Sequence, residues 1–66
     1  MTLGEYLRDL RLRQNVMSLD KMAKKIGCTK SYLCDVENDK TMPSLAKAAL
    51  IAHHYKTNLK LMIGYL

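Results

Sequence analysis

Apolar residues recur at Leu3, Tyr6, Leu7 and Leu10, the i, i+3, i+4, i+7 spacing that lines one face of an α-helix. Thr2 precedes that stripe and Glu5 follows Thr2 by three residues, a capping box, so the spacing predicts a first helix over roughly 3 to 14. A second stripe, Leu19, Met22, Ala23 and Ile26, has Ser18 as its cap and stops at Gly27, which adopts a left-handed turn at low cost. Thr29 caps a third helix with Leu33 and Val36 inward, ending near Asn38 and Asp39, residue types that tolerate the same turn. After Pro43, Ser44 caps a fourth, whose pattern sets Leu45, Ala48, Ala49 and Ala52 inward with Ile51 and Tyr55 flanking them. Asn58 caps a fifth, with Leu59, Met62, Ile63 and Leu66 at helical spacing. Stretches of alternating β-branched residues, the mark of strands, do not occur. The pattern predicts an all-α fold: a compact bundle of five short helices in a single domain spanning 1–66, without repeats or linkers.

The second and third of these, 19 to 26 and 30 to 37, are joined by a turn centred on Gly27 and Cys28. They match the helix-turn-helix unit in length and punctuation, over about 19 to 38. Ala23 is small where the two helices cross, Gly27 frees the backbone to turn, and Leu33 with Val36 pins the third helix to the core. The opposite face, Thr29, Lys30, Ser31, Cys34 and Asp35, is thereby left outside. Residues so placed meet base edges when such a helix lies in a major groove. Lysine donates to guanine O6 and N7, serine adapts, and aspartate accepts from cytosine N4.

Charge strengthens this picture. Eleven Lys and Arg against six Asp and Glu give +5 and a pI near 9.4, an imbalance that attracts polyanions. A run such as Lys21, Lys24, Lys25 and Lys30 is ordinarily a solvated helix face, but on two helices that straddle a groove it becomes a footprint for phosphates. With 66 residues, 48% of them hydrophobic, the chain has material for one economical core. The start lacks the basic and apolar regions of a signal peptide, and the longest apolar run, Ala48 to Ala52, is far too short to span a bilayer. The expectation is a cytoplasmic protein without membrane contact. Cys28 and Cys34 fall on different faces and are expected as reduced thiols.

Four blocks carry a family resemblance: Ser18-Leu19-Asp20-Lys21-Met22-Ala23, Ile26-Gly27-Cys28-Thr29-Lys30-Ser31-Tyr32-Leu33, Val36-Glu37-Asn38 and Pro43-Ser44-Leu45. In this order and spacing the chain resembles the Cro/C1-type, lambda repressor-like helix-turn-helix domain of phage repressors and many bacterial regulators, over nearly its whole length. The resemblance implies a sequence-specific regulator of transcription that binds double-stranded DNA. Lys30, Ser31 and Asp35 fall at the family's base-reading positions, and Asn38, Lys40 and Thr41 in its phosphate-contacting loop. Lys21 belongs to the phosphate footprint, and Arg11 with Glu37 looks like the family's buried ion pair. Leu19 stands where a Gln usually bonds a phosphate, and Asp39 where the loop usually has Gly. The first helix runs one residue longer before Ser18 than the commonest spacing. This leaves open whether position 11, 12 or 13 takes the pairing site, with Arg13 the alternative phosphate contact.

Other chemistry is poorly supplied. Cys28, Cys34, His53 and His54 lack the paired spacing of a zinc site, so no metal and no cofactor are expected. Tyr32 and Tyr55 suit packing at the edge of the core better than stacking on single strands. Ser18, Thr29 and Ser44 are helix caps rather than nucleophiles, no glycine-rich phosphate loop exists, and a bundle of this size has little room for a pocket. Neither an enzyme nor a small-molecule receptor is expected. Because the chain ends after the fifth helix, the pattern suits a minimal Cro-like repressor. The apolar tail Met62, Ile63, Tyr65 and Leu66 exceeds the needs of one small core and predicts a homodimer on an inverted-repeat operator. The alternative is a protein-interaction module on the same fold, such as an antitoxin or a polymerase adaptor, which Leu19 and the apolar tail would fit. The lysine-rich, aromatic-poor face of 19 to 38 argues against it.

Overall fold

The computed structural model describes residues 1–15 and 18–65, and Val16, Met17 and Leu66 lie outside the described residues. Among the described residues five helices follow one another and no strand occurs: α1 (Leu3–Leu12), α2 (Leu19–Ile26), α3 (Lys30–Glu37), α4 (Leu45–His54) and α5 (Leu59–Ile63). Each begins at a Ser, Thr or Asn whose side chain accepts a backbone N–H of the first turn: Thr2, Ser18, Thr29, Ser44 and Asn58. These caps satisfy amides that the helices leave unpaired. At Thr2 the box is reciprocal, since the Thr2 N–H donates to Glu5 Oε1 at 2.8 Å.

Three helices end on one device. Gly27, Asp39 and Lys56 are left-handed, with φ of 87°, 61° and 59°. The amides of Cys28, Lys40 and Thr57 then bond back to the carbonyls of Ala23, Asp35 and Ala52 at 3.0, 2.8 and 2.9 Å. This is the Schellman arrangement, which closes the helix with the chain already turned away.

The core joins Leu3 and Leu7 of α1, Met22, Ala23 and Ile26 of α2, Leu33 and Val36 of α3, Ile51, Ala52 and Tyr55 around α4, and Met62 of α5. α2 packs on α3 and α4, α1 on α3, and α5 on α4. The result measures 25 × 21 × 19 Å.

The structure corrects three details of the pattern. α1 stops at Leu12 rather than near 14, because Asn15 turns left-handed at φ 54°. α4 is rotated from the expected stripe: Leu45 (73% exposed) and Ala49 face outward, whereas Ile51 and Tyr55, expected as flanks, are fully buried. Ala48, Ile51, Ala52 and Tyr55 form an equally regular helical stripe that delivers the larger side chains to the core. On α5 only Met62 is buried, and Ile63 is 57% exposed.

Candidate nucleic-acid interface

Ala23 (1% exposed) lets α2 and α3 cross closely, and the left-handed Gly27 redirects the chain between them within one residue. Leu33, Val36 and Glu37 turn one side of α3 into the core. At i, i+1, i+4 and i+5, the other side presents Lys30, Ser31, Cys34 and Asp35, with Cys34 half-buried and the rest exposed. The Thr29 hydroxyl oxygen accepts from the Tyr32 amide at 3.0 Å, which leaves its proton free to donate outward. Tyr32 packs against the core, and desolvation raises its pKa above the ordinary phenol value.

What fixes the angle of α3 is the one buried carboxylate among the described residues, Glu37, 3% exposed. Arg11 grips it with two bonds, Nε to Oε2 at 2.8 Å and Nη2 to Oε1 at 3.0 Å. Arg8 Nε adds a longer ionic contact at 3.6 Å, and the Tyr55 hydroxyl donates to Oε2 at 2.6 Å. Bonding to Glu37 raises the Arg11 pKa, and burial together with the bond to Glu37 pushes Tyr55 far above the phenol range. Arg11 and Tyr55 therefore keep their protons, and α1, α3 and the end of α4 meet on one charge. The pairing falls on Arg11, which settles the register of the first helix. Arg13 lies outside, 3.1 Å from Asp9 in an exposed pair.

Beyond α3 the loop is tied to α1. Arg8 Nη2 donates to Asn38 Oδ1 at 2.7 Å, and Asn38 Nδ2 donates to the Cys34 carbonyl at 2.9 Å and its sulfur at 3.3 Å. The Asn38 carboxamide is thus committed within the fold. Lys40 and Thr41 are exposed, as is Lys21 on α2. Lys24 is 3.4 Å from Asp20 in a solvated pair. Such exposed pairs contribute little, so Lys24 and Arg13 exchange partners at small cost.

Of the expected dimer residues, Met62 is in the monomer core at 3% exposure. Tyr65 stacks on Tyr6 with ring centroids 4.4 Å apart and stays 38% exposed, while Leu66 is outside the described residues. Both cysteines are free thiols. Among the described residues no three His, Cys, Asp or Glu side chains gather as a metal site, and no helix is long and apolar enough to cross a membrane.

Sequence reasoning missed Arg8, Gly4 and the bonding role of Asp39. The signal available for Gly4 was its position inside a helix, where glycine is unfavourable unless another backbone approaches. A Cβ there would fall on the Glu37 carbonyl oxygen and 2.7 Å from its carbon. For Asp39 no local pattern existed, since its partners are 35 and 37 residues away.

Asp39 and Glu5 have depressed pKa values, Asp39 through its bonds with Thr2 and Gly4, Glu5 through its bonds with Thr2. A depressed folded-state pKa contributes stability above the unfolded value, near 4, and loses it as pH falls through the folded value. The melting temperature should therefore hold from neutral pH to about 5 and fall below about 4. Asp39→Asn should flatten that acid limb in scanning calorimetry, and an unchanged limb would mean that the carboxylate is not bonded as described.

With this geometry the protein is of the helix-turn-helix class. The helix-turn-helix domain family matches it over residues 2–62, and the chain belongs to that family of DNA-binding domains. No curated protein matches it.

Proposed function

We propose that the protein is a sequence-specific regulator that reads double-stranded DNA through the major groove, a small Cro-like repressor acting as a homodimer on an inverted repeat. The observation that carries this reading is the exposed face of α3, with Lys30, Ser31 and Asp35 held on a helix whose other side is locked by Glu37. A rigid helix with donors and an acceptor on one side discriminates base edges, and the basic surroundings supply affinity through phosphates. Lys21, Lys40 and Thr41, together with Arg13 after release from Asp9, are the phosphate contacts in this reading.

Exposed Met42 (63%), Leu45 (73%) and Ile63 (57%) surround an apolar groove of about 170 Å³ floored by Leu3, Ala48 and Met62. This patch, with Tyr65 near it in sequence, is the surface proposed for the second copy. It supports a modest dimer whose melting temperature rises with protein concentration. Two recognition helices would then enter major grooves about 34 Å apart.

Replacing Lys30 by Ala should relax preference at one base position by about 1–3 kcal/mol. Lys40→Ala should instead weaken every duplex alike and lower the salt slope by about 1. Equal losses on operator and random DNA for both variants would end that division of labour.

Selection of bound sequences from a random duplex library tests the reading. An enriched inverted repeat is expected. Absence of any motif would turn the assignment to a protein partner docking on the apolar patch.

A further inference from the structure

Asp39 is the anomaly of the site. It is left-handed at φ 61°, where glycine is free of cost, and it puts a negative charge in the loop that this reading turns toward phosphates. Its carboxylate, however, is bonded to the start of α1. Oδ2 accepts from the Thr2 hydroxyl at 2.6 Å and Oδ1 from the Gly4 amide at 2.9 Å. The Thr2 oxygen in turn accepts the Glu5 amide at 3.2 Å, so one threonine both caps α1 and holds the loop. The Gly4 position, flush against the Glu37 carbonyl, is what allows this approach. One residue earlier, Asn38 is held to α1 by Arg8 at 2.7 Å. One residue later, the Lys40 amide is bonded to Asp35 at 2.8 Å. Consecutive residues 38, 39 and 40 are thus each fastened, while the side chains of Lys40 and Thr41 are exposed.

We propose that Asp39 is a positioning residue for DNA binding: it latches the loop after α3 to the N-terminus of α1, so that Lys40 and Thr41 meet a phosphate without first being ordered. The inference rests on the DNA-binding reading. Two physical effects combine. Ordering a loop on binding costs conformational entropy that a latched loop has already lost on folding. The carboxylate's charge is also taken up by the Gly4 amide and the Thr2 hydroxyl, so it opposes an incoming phosphate less than a free aspartate would.

The test compares the wild-type chain with Asp39→Gly, Thr2→Ala and Thr2→Ser on the duplex enriched by selection and on a scrambled duplex, over a range of salt. Asp39→Gly suits the left-handed position and removes the latch together with its negative charge, a loss of charge that by itself would favour binding, whereas Thr2→Ala releases the latch and keeps the charge. Asp39→Gly should weaken binding to both duplexes on the order of tenfold, the weight of one charge-assisted hydrogen bond. The salt slope should fall by about 1, and base preference should stay unchanged. Lys40→Ala added to Asp39→Gly should then cost much less than in the wild-type chain, because both act through one contact. Thr2→Ala should repeat the loss and Thr2→Ser should restore binding. A merely structural role would lower the melting temperature while leaving the salt slope and the full cost of Lys40→Ala in place, which overturns the proposal. If the wild-type chain binds no duplex, the DNA-binding reading falls and this inference with it. If it binds and Asp39→Gly binds equally well, only the latch is refuted.

Discussion

Glu37→Gln should destabilise the protein by on the order of 3–5 kcal/mol, because it removes the buried carboxylate charge to which the Arg11 guanidinium, 13% exposed, is bonded. The amide is nearly isosteric with the carboxylate, so the loss is electrostatic. Oε2 receives Arg11 Nε and the Tyr55 hydroxyl, and Oε1 receives Arg11 Nη2. Whichever oxygen becomes NH2, a donor faces a donor. A domain of this size has a total stability of about 3–10 kcal/mol, so the variant should be largely unfolded at physiological temperature. Tyr55→Phe removes one donor and leaves the ion pair, and should cost only about 1–3 kcal/mol. Urea denaturation measures both. Near-equal stability of Glu37→Gln and the wild-type chain would show that the carboxylate is not what joins α1, α3 and α4.

Gly4→Ala should be the more damaging of two glycine replacements, although Gly27 is the more conspicuous turn residue. At Gly27 the φ of 87° makes any side chain strained, but a Cβ there has open space around it. The cost is limited to about 1–2 kcal/mol. At Gly4 the obstacle is the carbonyl group of Glu37, whose oxygen the added carbon would overlap and whose carbon lies 2.7 Å from it, and the Asp39 carboxylate at 2.9 Å. A backbone obstacle cannot rotate aside, so α1 must shift from α3 and loosen both the Asp39 latch and the Arg11 grip. Overpacking against backbone costs about 3 kcal/mol, the upper end of the usual range, alanine's better helix propensity returns about 1 kcal/mol, and a net loss of about 2 kcal/mol is expected. Thermal melts of the two variants give the order directly, and Gly27→Ala melting below Gly4→Ala would contradict the close approach.

The Arg11–Glu37 pair was expected from the family resemblance, whereas the Gly4 approach and the bond from Tyr55 mark where the sequence ceased to be legible. All five helix starts were readable, because Ser, Thr or Asn before an apolar stripe is a local signal with a local cause. The boundaries of α2 and α3 follow from Ser18, Gly27 and Thr29 in the same way. α4 was misread because its sequence carries two overlapping stripes that share Ala48 and Ala52. The choice between them depends on Tyr55 reaching Glu37, a contact 18 residues away. The outward face of α3 was legible once its inward face was known. The commitments of Asn38 and Asp39 were not, since each is made by a side chain on α1 and no spacing within the loop encodes it.

The most direct measurement is the dissociation constant for a selected duplex and its scrambled counterpart, each at two salt concentrations. Sequence-specific reading predicts that the selected duplex binds at least about 10³-fold tighter, with both affinities falling as salt rises. Equal affinities that vanish together as salt rises would contradict it and leave the basic face as an electrostatic surface alone.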